Sequence, residues 1–319
     1  MRKFFKGVWL HHLPDKNQGD EPIKKMVKRL SEAGFDLIIP CVKNPDGLLD
    51  YPSKIGNIRP TFKGWDPLRI LIREAHSKQI KVHPWLCVFT EGKDSVLLKR
   101  NNKLVAIDKK GDPTGWVCTA QEEVQKYEFS LYKEIMENYN IDGVHLDYIR
   151  TGPGCFCNYC RETFEEKENV DPFILKPRDK KWADWIDWRV TNITNFVRKV
   201  KKEASTRNIE VSAAVFTDYP LCIVTNGQDW GEWAEENLVD YIFPMNYTSS
   251  TRLAIKEARC HLATVKKTCL IWEGLYIHSL NAKMLTEQIK GVLNEGAGGI
   301  IIFSYPGLEN EHIEAIKNI

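Results

Sequence analysis

Strand-like and helix-like runs alternate eight times along the 319 residues of this chain, and no other feature narrows its fold so far. A helix between two strands carries the chain back to the starting edge, so repeated units of this kind build a parallel sheet. Eight of them point to closure into an α/β fold, a single (β/α)8 TIM barrel with long rim loops. The strand-like runs are 5–12, 35–42, 80–88, 141–150, 209–216, 239–247, 268–276 and 299–306. Ile23, Met26, Val27 and Leu30 recur at helical spacing before Gly34, and Asp66-Pro67 opens another helix with an N-cap and a first-turn proline. Further helices are predicted over Glu122–Asn138 and about Trp182–Ala204, from near Asp229 and from about Asn310. One domain is expected over 1–319, with long rim segments before Gly64 and at 89–120 and a cysteine-bearing rim insertion at about 151–179.

The stretch Ile141-Asp-Gly-Val-His-Leu-Asp-Tyr-Ile-Arg150 is where the barrel should meet chemistry. Strand alternation puts Val144 and Leu146 on one face and Gly143, His145 and Asp147 on the other. If the apolar face meets the helices, Asp147 arrives at the C-terminal rim, where such barrels keep their active sites. A buried strand seldom turns both an imidazole and a carboxyl inward without a use for them. The bland alternative is that Asp147 caps the next segment or anchors Arg150.

The 45 basic and 43 acidic residues nearly cancel and form no long basic run, so nothing advertises nucleic acid or an anionic membrane. A small or neutral partner is expected. Ten Trp and eleven Tyr suit ligands that present C–H surfaces, sugars among them, although aromatics also fill cores. Met1 to Phe5 runs straight into the first strand, leaving no room for an apolar leader, and no run is long and apolar enough to span a bilayer. The chain is therefore expected to be soluble and cytoplasmic, or secreted if a leader was removed. Nine cysteines, an odd number, argue against a disulfide framework and for reduced thiols or a metal.

Four segments together carry a family resemblance: GVWLHH at the start, DGVHLDYIR in the middle, QDWGEWAEENLVDYIFPMNY, and GAGGIIIFSY near the end. In these the chain resembles glycosyl hydrolase-like family 10, a group of bacterial TIM barrels. The resemblance implies a (β/α)8 barrel and action on a glycan, and matches Asp147 to the family's rim aspartate; a glycoside hydrolase acting on an oligo- or polysaccharide is expected, with no organic cofactor. Family members commonly carry Gly or Pro where this chain has Trp272-Glu273, so the resemblance assigns Glu273 no role.

Glycoside hydrolysis needs two carboxyl groups flanking the scissile bond. Asp147 is the first, and Glu273, near the end of the seventh strand, is the expected second. Asp218 and Glu91 are the alternatives, and any of the three could be a solvated loop charge or a salt-bridge partner. Two other readings compete: a barrel that binds carbohydrate without hydrolysing it, and a metal-dependent hydrolase of the amidohydrolase kind built on His11, His12, His83 and His145. Because His11 and His12 are adjacent they face opposite sides of a strand, and no His-x-His pair closes the first strand. Binding sugar hydroxyls or filling the barrel is the expected work of these imidazoles. Trp9, Trp85, Tyr148, Arg150, Asn246, Tyr247, Trp272 and Tyr305 fall at or near strand ends and, with Asp218, are expected to line the pocket. Trp9 and Trp85 could instead plug the barrel.

Cys155-Phe-Cys157-Asn-Tyr-Cys160 is the sharpest local motif, since this spacing can present three thiolates to one tetrahedral metal. Cys118, on the preceding rim segment, is the expected fourth ligand and Cys87 the reserve. The arrangement resembles the four-cysteine zinc site of certain barrel β-galactosidases. Four thiolates leave no open position, so such a zinc would be structural; ordinary free cysteines are the alternative.

Overall fold

A computed structural model describes residues 4–152, 154–266 and 268–319, so the expectation drawn from Met1 to Phe5 lies partly outside the described residues. The barrel strands are β1 (Phe5–Leu10), β2 (Leu37–Lys43), a third strand in two pieces, β3 (Lys81–Val82) and β4 (Trp85–Cys87), then β7 (Gly143–Asp147), β8 (Glu210–Val215), β9 (Tyr241–Pro244), β10 (Leu270–Tyr276) and β11 (Gly299–Phe303). A hairpin of β5 (Val105–Ile107) and β6 (Pro113–Val117) lies between them in sequence. Each barrel strand pairs in parallel with its neighbours, and β1 pairs with both β2 and β11, which closes the barrel. The third strand breaks at His83-Pro84, where proline has no N–H to give the ladder.

Helices α1 (Glu21–Glu32), α2 (Pro67–His76), α4 (Glu122–Asn138), α6 (Lys181–Ser205), α8 (Trp230–Glu235), α9 (Thr251–Val265), α10 (Ala282–Glu295) and α11 (Asn310–Lys317) surround the strands, while α3 (Val96–Arg100), α5 (Asn158–Glu168) and α7 (Leu221–Asn226) belong to the rim. Local chemistry explains their starts: the Asp66 side chain accepts the Arg69 N–H ahead of Pro67, and Asp229 caps α8 in the same way. The helices bury one stripe against the outward strand face, as Ile193, Phe196, Val197 and Val200 of α6 do.

Alternation then sorts the strands. Val8, Ile38, Leu86, Val144, Leu146, Val211, Ile242, Ile271, Leu275 and Ile300 join the core between sheet and helices. Trp9, Ile39, Cys41, Trp85, Cys87, Ala214, Phe243, Trp272 and Ile301 form a second cluster inside the barrel. A third lies on the rim around Ala106, Cys118, Cys155, Cys160, Phe164 and Trp185. The rim segment expected at 89–120 holds a short helix and a hairpin, both too short to show a period in the sequence. Among the described residues no helix is long and apolar enough to cross a membrane.

Candidate active site

Asp147 is the last residue of β7, in register with Cys87 on the inner face, and is 7 % exposed. Its Oδ1 accepts the Tyr148 backbone N–H at 2.6 Å and lies 3.5 Å from the nearer terminal nitrogen of Arg150. Burial pushes the carboxyl up, and Arg150 and the Tyr148 N–H only partly offset it. The net direction favours the protonated form, which is what a proton donor requires.

The chain leaves β7 with Tyr148 at φ +51°, a left-handed conformation that costs a non-glycine residue energy and is found at functional turns. The Tyr148 ring packs on Trp116 at 5.7 Å. The Arg150 guanidinium sits among three rings, 4.6 Å from the centroid of Tyr148, 4.9 Å from Phe216 and 5.4 Å from Trp116. Its Nη1, the nitrogen that faces Asp147 at 3.5 Å, is buried and makes no hydrogen bond.

Across the mouth, Tyr247 packs on Tyr276 and Phe303, each at 5.5 Å, and keeps 37 % of its surface exposed. His11 packs on Phe303, on Trp85 and on His12. Its Nδ1 is buried and unpartnered, and burial, then His12, lowers its pKa. A cavity of 530 Å³ opens on this side, walled by His11, His12, Asn44, Asp50 and Arg59. A larger hollow of 690 Å³ beside the rim insertion, walled by Lys109, Phe156, Arg161 and Phe173, shares no lining residue with it.

Beneath the mouth runs a chain of hydrogen bonds with one direction. Trp9 Nε1 donates to His145 Nε2 at 3.1 Å, so a neutral His145 carries its proton on Nδ1 and donates to Ser212 Oγ at 2.9 Å. Ser212 can then donate to His83 Nδ1 at 3.1 Å, leaving His83 Nε2–H for Glu210 at 3.2 Å. Burial, then His83, holds His145 well below its ordinary pKa, consistent with the neutral ring. Burial would raise Glu210, but hydrogen bonds from His83, Lys81 and Tyr241 win and bring it to about 2.

The residues named from the sequence thus separate. Asp147, Tyr148, Arg150, His11, His12 and Tyr247 stand at the mouth, over a floor of Trp9 and Trp85. His83 and His145 stand away from the mouth: both are buried and share Ser212, His83 lines a hollow with Glu210, and no three of His11, His12, His83 and His145 lie close enough to hold one metal, as the amidohydrolase reading required. Trp272 stacks on Phe5 at 5.3 Å and lines a 200 Å³ hollow with Lys81 and Glu210 at the opposite end of the barrel. Tyr305 packs over the outer core, and Asp218 is exposed three residues beyond β8.

Glu273 is the main correction. On β10 the inward residues are Trp272, Gly274 and Tyr276, so Glu273 points outward with Ile271 and Leu275. It is fully buried, bonded to His261 Nδ1 at 2.9 Å and to Asn246 Nδ2 at 3.0 Å. Asn246, expected in the pocket, is instead buried behind the sheet, where it also donates to Ala254 O. Glu91 is likewise committed, 2.7 Å from a buried Lys43 that also holds Glu128. The expected carboxyl pair across the cleft is not formed by Asp147 with either glutamate. Trp116, Tyr276 and Phe303 join the site beyond the residues expected of it, as does Phe216, which strand alternation places on the inward face. Alternation could have found Tyr276 and Phe303 in the same way, but nothing local places Trp116 beside β7.

A closed parallel barrel with a desolvated carboxyl and a cup of aromatic rings at the strands' carboxyl ends defines a glycoside-hydrolase-like TIM barrel. The chain belongs to the family Glycosyl hydrolase-like 10, which it matches over residues 5–287. It is 26 % identical over 271 residues to "Glycosyl hydrolase DigH" of Escherichia coli O6:H1 (strain CFT073), an alignment covering 71 % of this chain and 58 % of that protein. The K12 strain's protein of the same name is 26 % identical over 268 residues, with the same coverage. The chain thus spans a little over half the length of these relatives. In fold it resembles the PgaB (BpsB) glycoside hydrolase domain from Bordetella bronchiseptica, with a TM-score of 0.81 at 13 % identity over 99 % of this chain and 98 % of that one. It also resembles the α-L-fucosidase isoenzyme 2 from Paenibacillus thiaminolyticus, with a TM-score of 0.72 at 15 % identity over 99 % and 48 %.

Proposed function

We propose that the chain hydrolyses a glycosidic bond in an oligo- or polysaccharide, with Asp147 protonating the departing oxygen. The observation that carries this reading is a carboxyl pushed toward its protonated form by burial, at the end of a barrel strand and within an aromatic cup. Family membership and the glycoside hydrolase folds it resembles support the same reading. Tyr148, Trp116 and Tyr247 offer faces to sugar C–H surfaces, and Arg150 sets its charge beside Asp147. Of the carboxyl groups weighed from the sequence, Asp218 alone is exposed at the rim, and it takes the second role. A second reading, binding without hydrolysis, is favoured by one observation, that Glu273 and Glu91 are both turned away from Asp147.

The test is release of reducing ends from a panel of oligosaccharides by the wild-type chain and by Asp147→Asn. Turnover by the former, lost in the latter and restored by a substrate whose leaving group needs no protonation, is the expected result. Saturable sugar binding with no turnover in either would establish the second reading, and full turnover in Asp147→Asn would end the proposed mechanism.

A further inference from the structure

The rim insertion brings four cysteines from two chain segments to one point. Cys118 follows β6, Cys155 and Cys157 lead into α5, and Cys160 lies in its first turn. All four are buried, and their Sγ atoms lie within 4.8 Å of one another. Cys118 and Cys160 are 3.3 Å apart, and Cys157 is 3.7 Å from each of them. These separations are too long for a disulfide, whose sulfurs stand about 2.05 Å apart. They match a tetrahedral site, where Zn–S bonds of about 2.3 Å place the sulfurs roughly 3.8 Å from one another.

A second observation is independent of the spacing. Arg189 of α6 is buried yet has no carboxyl partner among the described residues; its nitrogens donate to Thr151 Oγ1, Val224 O and Thr225 O, all neutral. Its guanidinium lies beside Gly154 and close enough to Cys155 and Cys160 to feel their charge. A buried cation without a counter-charge is costly. Zinc held by four thiolates carries two negative charges and would supply that counter-charge.

We propose that Cys118, Cys155, Cys157 and Cys160 bind one zinc ion as thiolates, releasing the four thiol protons to solvent, with Arg189 offsetting one of the site's two negative charges. The site has no open position and does no chemistry on substrate. Its work is positional. Cys118 is two residues from Trp116 and Cys155 five residues from Arg150, so the metal ties together the two segments that form one wall of the mouth.

The test uses the full chain purified without added metal. About one zinc per chain is expected, with all four thiols shielded from alkylation until a chelator is added. Replacing zinc by cobalt(II) should give the thiolate charge-transfer and tetrahedral ligand-field absorption of a four-sulfur site. Cys157→Ser should lose the metal, and Arg189→Leu should weaken zinc affinity about 10–100-fold, with partial recovery in Arg189→Lys. The cobalt spectrum is read on the wild-type chain, so it decides even where Cys157→Ser does not fold. A folded metal-free chain with all four thiols open to alkylation and no cobalt spectrum would overturn the proposal, as would a disulfide among the four. Neither measurement involves a sugar, so the outcome is separate from that of the proposed hydrolysis.

Discussion

Asp147 owes its chemistry to where β7 stops, which leaves its carboxyl buried at the end of the strand's inner face. A carboxyl whose pKa is higher in the fold than in the unfolded chain binds its proton more tightly when folded. Its contribution to stability is therefore full at low pH and is lost as pH rises through the native value. Asp147→Asn removes that loss while keeping an acceptor for the Tyr148 N–H. Thermal melts should show the variant at least as stable as the parent at neutral pH, with the difference closing as pH falls below the ordinary aspartate range. Turnover should drop about 10²–10⁴-fold with binding largely kept. Glu273 calls for the opposite pattern. Glu273→Gln disturbs a buried hydrogen-bonded group behind the sheet, so equilibrium unfolding should register a loss of about 1–3 kcal/mol while turnover per folded molecule stays unchanged. Asp147 was legible because one face of its strand is apolar and the other is not. Glu273 was misread because β10 is buried on both faces, and alternation then names two sets of residues without saying which set looks inward.

The element that shapes the mouth beyond the barrel itself is the β5–β6 hairpin. It docks on the chain after β4 through the Val117 N–H to Phe89 O, and the insertion docks on it through the Phe156 N–H to Ile107 O. That double attachment puts Trp116 over Tyr148 and Arg150. Gly152 permits the fit: its φ of +56° suits glycine, and a Cβ there would lie 2.9 Å from the Trp116 ring. Gly152→Ala should therefore displace Trp116, destabilise the rim by about 1–3 kcal/mol and raise KM more than it lowers kcat. Tryptophan fluorescence and steady-state kinetics check the two effects. A variant with wild-type KM would show that Trp116 does not contact the sugar. The long helices α4 and α6 were legible almost to the residue, since each repeats its apolar stripe over several turns. The hairpin was not, because three- and five-residue strands in a polar segment carry no period to read.

At the scale of the whole molecule, the barrel is filled by a polar file from Trp9 through His145, Ser212 and His83 to Glu210 that crosses β1, β7, β8 and the break between β3 and β4. His145 is held neutral in the fold, whereas in the unfolded chain it takes up a proton as pH falls through its ordinary value of 6.5. The unfolded state then binds more protons, so stability present above that pH is lost below it. His145→Gln can still accept from Trp9 and donate to Ser212 but does not titrate. Its melting temperature should fall less steeply than the parent's between neutral pH and pH of about 5, a difference measurable by scanning calorimetry. What the sequence by itself determined is whatever a local period or spacing can carry: the eight β–α units, hence the closed barrel, the arrival of Asp147 at its rim, and three cysteines set for one point. Only the tertiary structure decided which histidines see solvent, which face of β10 looks inward, and that Trp116, Arg150 and Tyr148 share one wall. The reason is physical. Inward and outward are chosen by how eight strands pack around one axis at once, and contacts between segments far apart in the chain leave no mark on either segment alone.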